Sequence, residues 1–115
     1  MPLIKVQLPD HYEKAEYSSL LAKLSKLCSE ALNKPERYTM VAISTGPMMM
    51  EGMEGVAAFV EVRAIRDIFN AQLNAEMSKK ICELISAELC MPHNRIYINF
   101  ENVASHNWGF DGGIL

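Results

Sequence analysis

Two segments far apart in the chain carry the same punctuation. Leu32-Asn33-Lys34-Pro35-Glu36-Arg37-Tyr38 is echoed by Leu89-Cys90-Met91-Pro92-His93-Asn94-Arg95-Ile96-Tyr97. In each, an apolar helical stripe runs out, a proline follows, and a strand-like pattern begins. Proline lacks an amide hydrogen and disfavours helical backbone in the residue before it, so a helix must stop there. An internal echo of this kind marks a repeated supersecondary unit. Each unit reads strand–helix–strand. Crossovers between parallel strands are nearly always right-handed, and two of them place both helices against the same side of one sheet. The predicted fold class is α/β in the broad sense: an α+β two-layer domain in which two β-α-β units form a four-stranded mixed sheet with two helices on one face. The 115 residues, 50% hydrophobic, are enough for a single domain spanning 1–115 with a modest core.

The elements follow from periodicity. Leu3 to Leu8 (L-I-K-V-Q-L) reads as a strand closed by Pro9. Asp10 stands three residues before Glu13, a capping-box spacing, and the following helix runs to about Leu32. Leu20, Leu24, Leu27 and Cys28 lie on its apolar stripe, and Asn33 suits its C-terminal cap. Tyr38 to Thr45 is a second strand, and Met48 to Gly55 has no regular period and reads as a loop. Val56 to Arg63 is a third strand. Ala64 to Phe69 connects it to a second helix, from Asn70 or Ala71 to Leu89, with Met77, Ile81 and Ile85 buried. Arg95 to Glu101 is a fourth strand. The tail from Asn102 is apolar at its tip and is expected to dock on something rather than extend into solvent. The apolar strands leave a helix-free face that a further copy of the chain is expected to cover.

A net charge of -3 gives no electrostatic footprint for nucleic acid, and the scattered lysines and arginines make no polybasic patch for a membrane surface. No apolar run approaches the ~20 residues that cross a bilayer. The N-terminus lacks a signal-peptide layout, so a cytoplasmic location is expected, with any export by another route. Cys28 and Cys82 read as core thiols, and His11, His93 and His106 are too dispersed for a ligand set. Neither a metal nor a cofactor is expected.

The chemistry is expected at Met1-Pro2-Leu3. A small residue at position 2 favours removal of the initiator methionine, which frees Pro2 as a secondary amine. An α-amino group titrates at roughly 7.7–8.0. Desolvation or a neighbouring cation lowers that value, and a neutral amine can then serve as general base and return the proton as general acid. Pro2 could equally be a stiff strand start.

These residues, together with Asn33-Lys34-Pro35 and Tyr38, Ala64-Ile65, Arg95-Ile96-Tyr97-Ile98-Asn99-Phe100 and His106-Asn107-Trp108-Gly109-Phe110, resemble the macrophage migration inhibitory factor family of the tautomerase superfamily over essentially the whole chain. The resemblance implies a homotrimer with active sites at subunit interfaces and keto–enol tautomerisation of phenylpyruvate-type and dopachrome-type carboxylates. By position it implies Pro2 as the catalytic base and acid, Lys34 as the substrate carboxylate's partner, and Ile65 as the donor of a backbone N–H. Tyr97 and Asn99 would come from the neighbouring subunit, and Phe110 would form an aromatic wall. Leu115 falls near a second wall position but is aliphatic. Several members also act as cytokine-like ligands for a cell-surface receptor, which makes a signalling ligand with vestigial catalysis one alternative. A hydroxymuconate-type isomerase is another.

The chain departs from the family at three places. Ala57 and Val60 stand where mammalian cytokine members have a C-x-x-C, which removes support for thiol–disulfide exchange. Met50 to Val56 replaces a small-residue loop. Arg66 occupies a position commonly held by glycine, and it either recruits a second carboxylate or is a solvated surface residue.

Overall fold

A computed structural model describes residues 1–115. Its strands and helices occur as β1 (Leu3–Leu8), α1 (Lys14–Leu32), β2 (Met40–Thr45), β3 (Met49–Met50), β4 (Met53–Glu54), β5 (Ala58–Ile65), α2 (Ala71–Leu89), β6 (Ile96–Val103), β7 (Gly109–Phe110) and β8 (Gly113–Ile114). The main sheet has the order β2-β1-β5-β6. β1 is parallel to β2, β5 is parallel to β6, and the central β1–β5 pair is antiparallel, so the two β-α-β units meet at the middle of a mixed sheet.

Alternation along the strands sends Ile4, Val6, Leu8, Val60 and Val62 to one side, where they pack with Leu20, Leu24, Cys28, Met77, Ile81 and Ile85 in a single core cluster. Burying one such aliphatic side chain contributes roughly 1.5–3 kcal/mol, so this layer dominates stability. Across the helix layer, Glu88 of α2 accepts from Ser19 of α1 at 3.0 Å and pairs with Lys23. Neither helix is long and apolar enough to cross a membrane.

Both helices end the same way. Asn33 (φ 52) and Cys90 (φ 52) are left-handed caps, and Pro35 and Pro92 each open a 3-10 turn before the next strand. These turns absorb Tyr38 and Arg95, which is why β2 and β6 start later than alternation alone predicts. At their other ends β5 and β6 run on to Ile65 and Val103, because their parallel register continues to that pair.

Three expectations need correction, and the expected docking of the tail is met within the chain. The α1 capping box is Glu13–Glu16, with the Glu13 amide donating to Glu16 Oε1 at 3.0 Å, rather than Asp10–Glu13. Tyr12 packs against the core first, so the helix begins beyond it. The Met48–Gly55 loop contains the β3–β4 hairpin, turned at Glu51 (φ 55) and Gly52 (φ 71). The tail folds on its own chain as the β7–β8 hairpin, turned at Asp111 (φ 51) and Gly112 (φ 78). Two successive positive-φ residues give a turn whose twist matches that of the strands, and E-G and D-G supply it. Lastly, the helix-free face is less apolar than predicted. Lys5, Gln7, Ser44, Glu61, Arg63, Asn99 and Glu101 point there, while Val41 and Ile43 pack toward the helices. The uncovered apolar groups sit at strand ends and hairpins: Met40, Met49, Met53, Phe59, Tyr97 and Ile114.

Candidate active site

Pro2 is fully buried at the head of β1. Its carbonyl accepts the Met40 amide at 3.0 Å, so pairing with β2 fixes the start of the chain. Proline fits the first position of a strand because no amide hydrogen is needed there. A cleft of about 530 Å³ opens beside it. Met1, Pro2 and Leu3 form one wall; Arg37, Tyr38, Thr39 and Met40 form the next. Arg63 and Val103 enter from the neighbouring strands, and the tail closes the cleft with Asn107, Trp108, Gly109 and Phe110.

The tail is positioned by its hairpin. The Phe110 ring stands edge-on to Tyr38, with centroids 5.9 Å apart and planes at 86°. This arrangement matches the positive edge of one ring to the negative face of the other. Leu115 donates its amide to the Trp108 carbonyl at 3.1 Å and remains partly exposed.

Lys34 follows the α1 cap directly. Its amide donates to the Ser29 carbonyl at 3.0 Å, and the Ser29 hydroxyl donates to the Lys34 carbonyl at 2.7 Å. Ser29 thus fixes the backbone of Lys34 from both sides, a positioning role that its place in a helical stripe does not advertise. Ile65 ends β5 in register with Val103. Arg66 then turns away at φ 68, its amide donating to the Val103 carbonyl at 2.8 Å. The Asn102 side chain accepts the Phe69 amide at 3.0 Å and so clamps the segment between Arg66 and α2.

The electrostatics at the chain start are one-sided. The Met1 amine is held below its ordinary value of 8.0, first by burial, then by the positive charges of Lys34 and Arg66. No carboxylate lines the cleft. Cys28, in contrast, has its thiol pushed up to about 12 by burial, which makes it an inert core group.

Of the residues singled out from sequence, the chain gathers Pro2 and Phe110 in one cleft. Lys34 and Ile65 are outside its lining, the charge of Lys34 acting on the Met1 amine and Ile65 lying in register with the lining residue Val103. It does not bring Tyr97 and Asn99 there. Tyr97 lies across from Phe59, which lies across from Gln7 at the far end of β1. Tyr97 and Asn99 are both exposed on the edge strand β6, outside the lining of their own cleft. Arg37, Tyr38, Met40 and Trp108 line the cleft without having been assigned site roles. Arg37 and Tyr38 follow Lys34 so closely that their participation was readable, whereas Met40 needed the strand pairing to place it.

Comparison with known proteins agrees with this fold. The family model for macrophage migration inhibitory factor (MIF) matches residues 1–115. The macrophage migration inhibitory factor of Xenopus tropicalis is 33% identical over 95 residues, 82% of each chain. The crystal structure of a homologue from Prochlorococcus marinus superposes with TM-score 0.90 at 34% identity, covering 97% of both chains. A fused 4-OT asymmetric trimer, at TM-score 0.86 and 16% identity over 97% of this chain and 94% of its own, shares the fold. With a matching fold, a matching family model along its full length and Pro2 buried beside a cleft lined by Arg37 and Arg63, the chain belongs to the macrophage migration inhibitory factor family.

Proposed function

We propose that the protein is a keto–enol tautomerase acting on 2-oxo acids of the phenylpyruvate and dopachrome type, with Pro2 as the proton carrier after removal of Met1. The observation that carries this reading is the placement of Pro2: buried at the head of a cleft, at a chain terminus whose amine is depressed by burial and by Lys34 and Arg66. With Met1 attached, the Pro2 nitrogen is an amide and has no basic lone pair. Once exposed as an amine in the same surroundings, it would meet the same burial and the same cations, both of which favour the neutral, basic form.

The reaction then needs few parts. The Pro2 amine takes the proton from the carbon next to the substrate carbonyl. The C–H electron pair becomes the new C=C bond, and the carbonyl electron pair moves onto oxygen. The protonated Pro2 returns its proton to that oxygen, giving the enol; the reverse order gives the ketone. Lys34 receives the carboxylate, the Ile65 amide meets the substrate, and Phe110 forms a wall. Tyr97 and Asn99 are supplied by the next subunit of a homotrimer, a reading supported by their exposure on the far edge of the sheet and by the trimeric state of a structural relative. General acid–base catalysis of this type contributes ~10²–10⁴-fold.

The test is a phenylpyruvate tautomerase assay on protein whose Met1 has been shown by intact mass to be absent. Pro2→Gly should lose ~10²-fold or more in kcat/KM, and protein retaining Met1 should be equally impaired. Full activity in either form would reject Pro2 as the base.

A further inference from the structure

One stretch of the chain serves neither the core nor the cleft. Between Gly46 and Gly55 every apolar side chain other than Pro47 is a methionine: Met48, Met49, Met50 and Met53, four of the chain's eight. None of them belongs to the hydrophobic core or packs against it, and none lines the cleft beside Pro2. Met49 and Met53 are exposed, and Met48 and Met50 are only partly covered. Methionine often fills irregular gaps in a core. These four do not.

The β3–β4 hairpin brings three of the thioethers to one side. Met50 and Met53 are directly opposed across the turn at Glu51-Gly52. Opposed residues of an antiparallel pair share a face, with Cβ atoms ~4.5–5.5 Å apart. Met48 lies two residues before Met50, so alternation assigns it to that face too. The Gly55 amide, donating to the Met48 carbonyl at 3.3 Å, extends the ladder to it. Met49 and Glu54, the other opposed pair, take the opposite face. Arg95 pins the backbone of the central pair, donating to the Met50 carbonyl at 2.7 Å and the Met53 carbonyl at 3.1 Å. A ligand set on a backbone held in this way is preorganised. Glu51 and Glu54 are exposed and enter no ion pair, so the hairpin carries two carboxylates beside a single cation, Arg95.

No three His, Cys, Asp or Glu side chains are grouped to hold a metal ion. Thioethers are a separate donor class. They are soft and uncharged, and they favour Cu(I) over harder divalent ions. We propose that Met48, Met50 and Met53 form a three-thioether site for a soft monovalent cation, Cu(I), on one face of the β3–β4 hairpin. The site is independent of the chemistry at Pro2.

Ag(I), a redox-stable ion of the same charge and softness, tests it by NMR of isotope-labelled methionine methyl groups. The protein used is the full chain with Cys82→Ser and Cys90→Ser, which removes the two thiols outside the core. The methyl signals of Met48, Met50 and Met53 should shift together and saturate at one equivalent, while those of the buried Met77 and Met91 stay in place. Shifts confined to one methionine, or absent from all three, overturn the proposal. Cu(I) binding against a bicinchoninate competitor should be lost in Met50→Leu/Met53→Leu. Leucine conserves the apolar volume, so folding and any contact between copies through this hairpin survive the change. Retained binding in that variant overturns the proposal. A thioether has no proton to exchange for a metal, so affinity should hold as pH falls from about 7 to about 5. A steep loss would assign the ligands to imidazole or thiolate instead and overturn the thioether site.

Discussion

The two helix-to-strand junctions share a backbone and differ in almost everything their side chains do. Asn33 and Cys90 have the same left-handed cap, and Pro35 and Pro92 the same extended conformation before a 3-10 turn. After the first cap comes Lys34, half-buried, with its charge felt by the Met1 amine; after the second comes Met91, 1% exposed in the core. The first 3-10 turn carries Arg37, stacked on Tyr38 with no acceptor. The second carries Arg95, 8% exposed, which donates to the carbonyls of Val56 (2.7 Å), Met50 (2.7 Å) and Met53 (3.1 Å). One copy of the junction lines the cleft, and the other holds the β3–β4 hairpin. A repeated backbone fixes where the chain turns, while each local surrounding decides whether the exposed positions serve binding or stability.

The sharpest way to break this contrast is to truncate the two post-cap residues. Met91→Ala should lose ~2–5 kcal/mol of unfolding free energy in urea titration, the range for emptying a core methionine site. It should leave KM for a 2-oxo acid nearly unchanged. Lys34→Ala should do the reverse, holding stability within ~1 kcal/mol while raising KM. It should also move the acid limb of kcat/KM upward. A nearby cation disfavours the ammonium form and lowers the amine pKa, so its removal raises that pKa and the base becomes protonated at higher pH.

The arginines give the next largest difference. Arg95→Ala strips three part-buried carbonyls of a charged donor, and hydrogen bonds to charged groups contribute ~1.5–3 kcal/mol each. Loss of ~3 kcal/mol and faster proteolysis within Met48–Gly55 are expected, whereas Arg37→Ala should cost no more than the ~0.5–1 kcal/mol of an exposed cation–π stack. Equal losses would mean that the two turns are energetically alike.

The smallest test concerns what the junctions share. Asn33→Gly and Cys90→Gly each place glycine at φ 52. Both should alter stability by the same sign and by no more than ~1 kcal/mol in thermal unfolding, since glycine relieves the left-handed strain and adds unfolded-state entropy. Opposite signs would show that the two caps are not equivalent.

Much of this was legible beforehand. Helix stripes, proline stops and strand alternation are local, and the handedness of crossovers converts them into a sheet with little freedom left. Pro2 and Phe110, which meet at the cleft, were readable because the residues around them form a recognisable order. What escaped notice depended on other parts of the chain. Arg95 reads as the first residue of an alternating strand until the hairpin carbonyls arrive from Met50 and Met53. Ser29 reads as a helix residue until Lys34 folds back onto it. Glu51-Gly52 and Asp111-Gly112 did announce turns, but the residues flanking them, methionine and glycine, are poor advertisements for a strand. The polarity of the helix-free face became plain only when the register aligned Lys5 with Glu61, and Arg63 with Glu101 two strands from Met40.

Arg95 has a further consequence. Every oxygen it grips belongs to the main chain, and peptide oxygens do not change charge in ordinary acid. The tether between the two helices is different: Glu88 is held below its usual carboxylate range by Lys23 and Ser19, and its contribution disappears as pH falls through that lowered value. Souring the solution should therefore slacken the helical layer while the methionine ribbon stays moored.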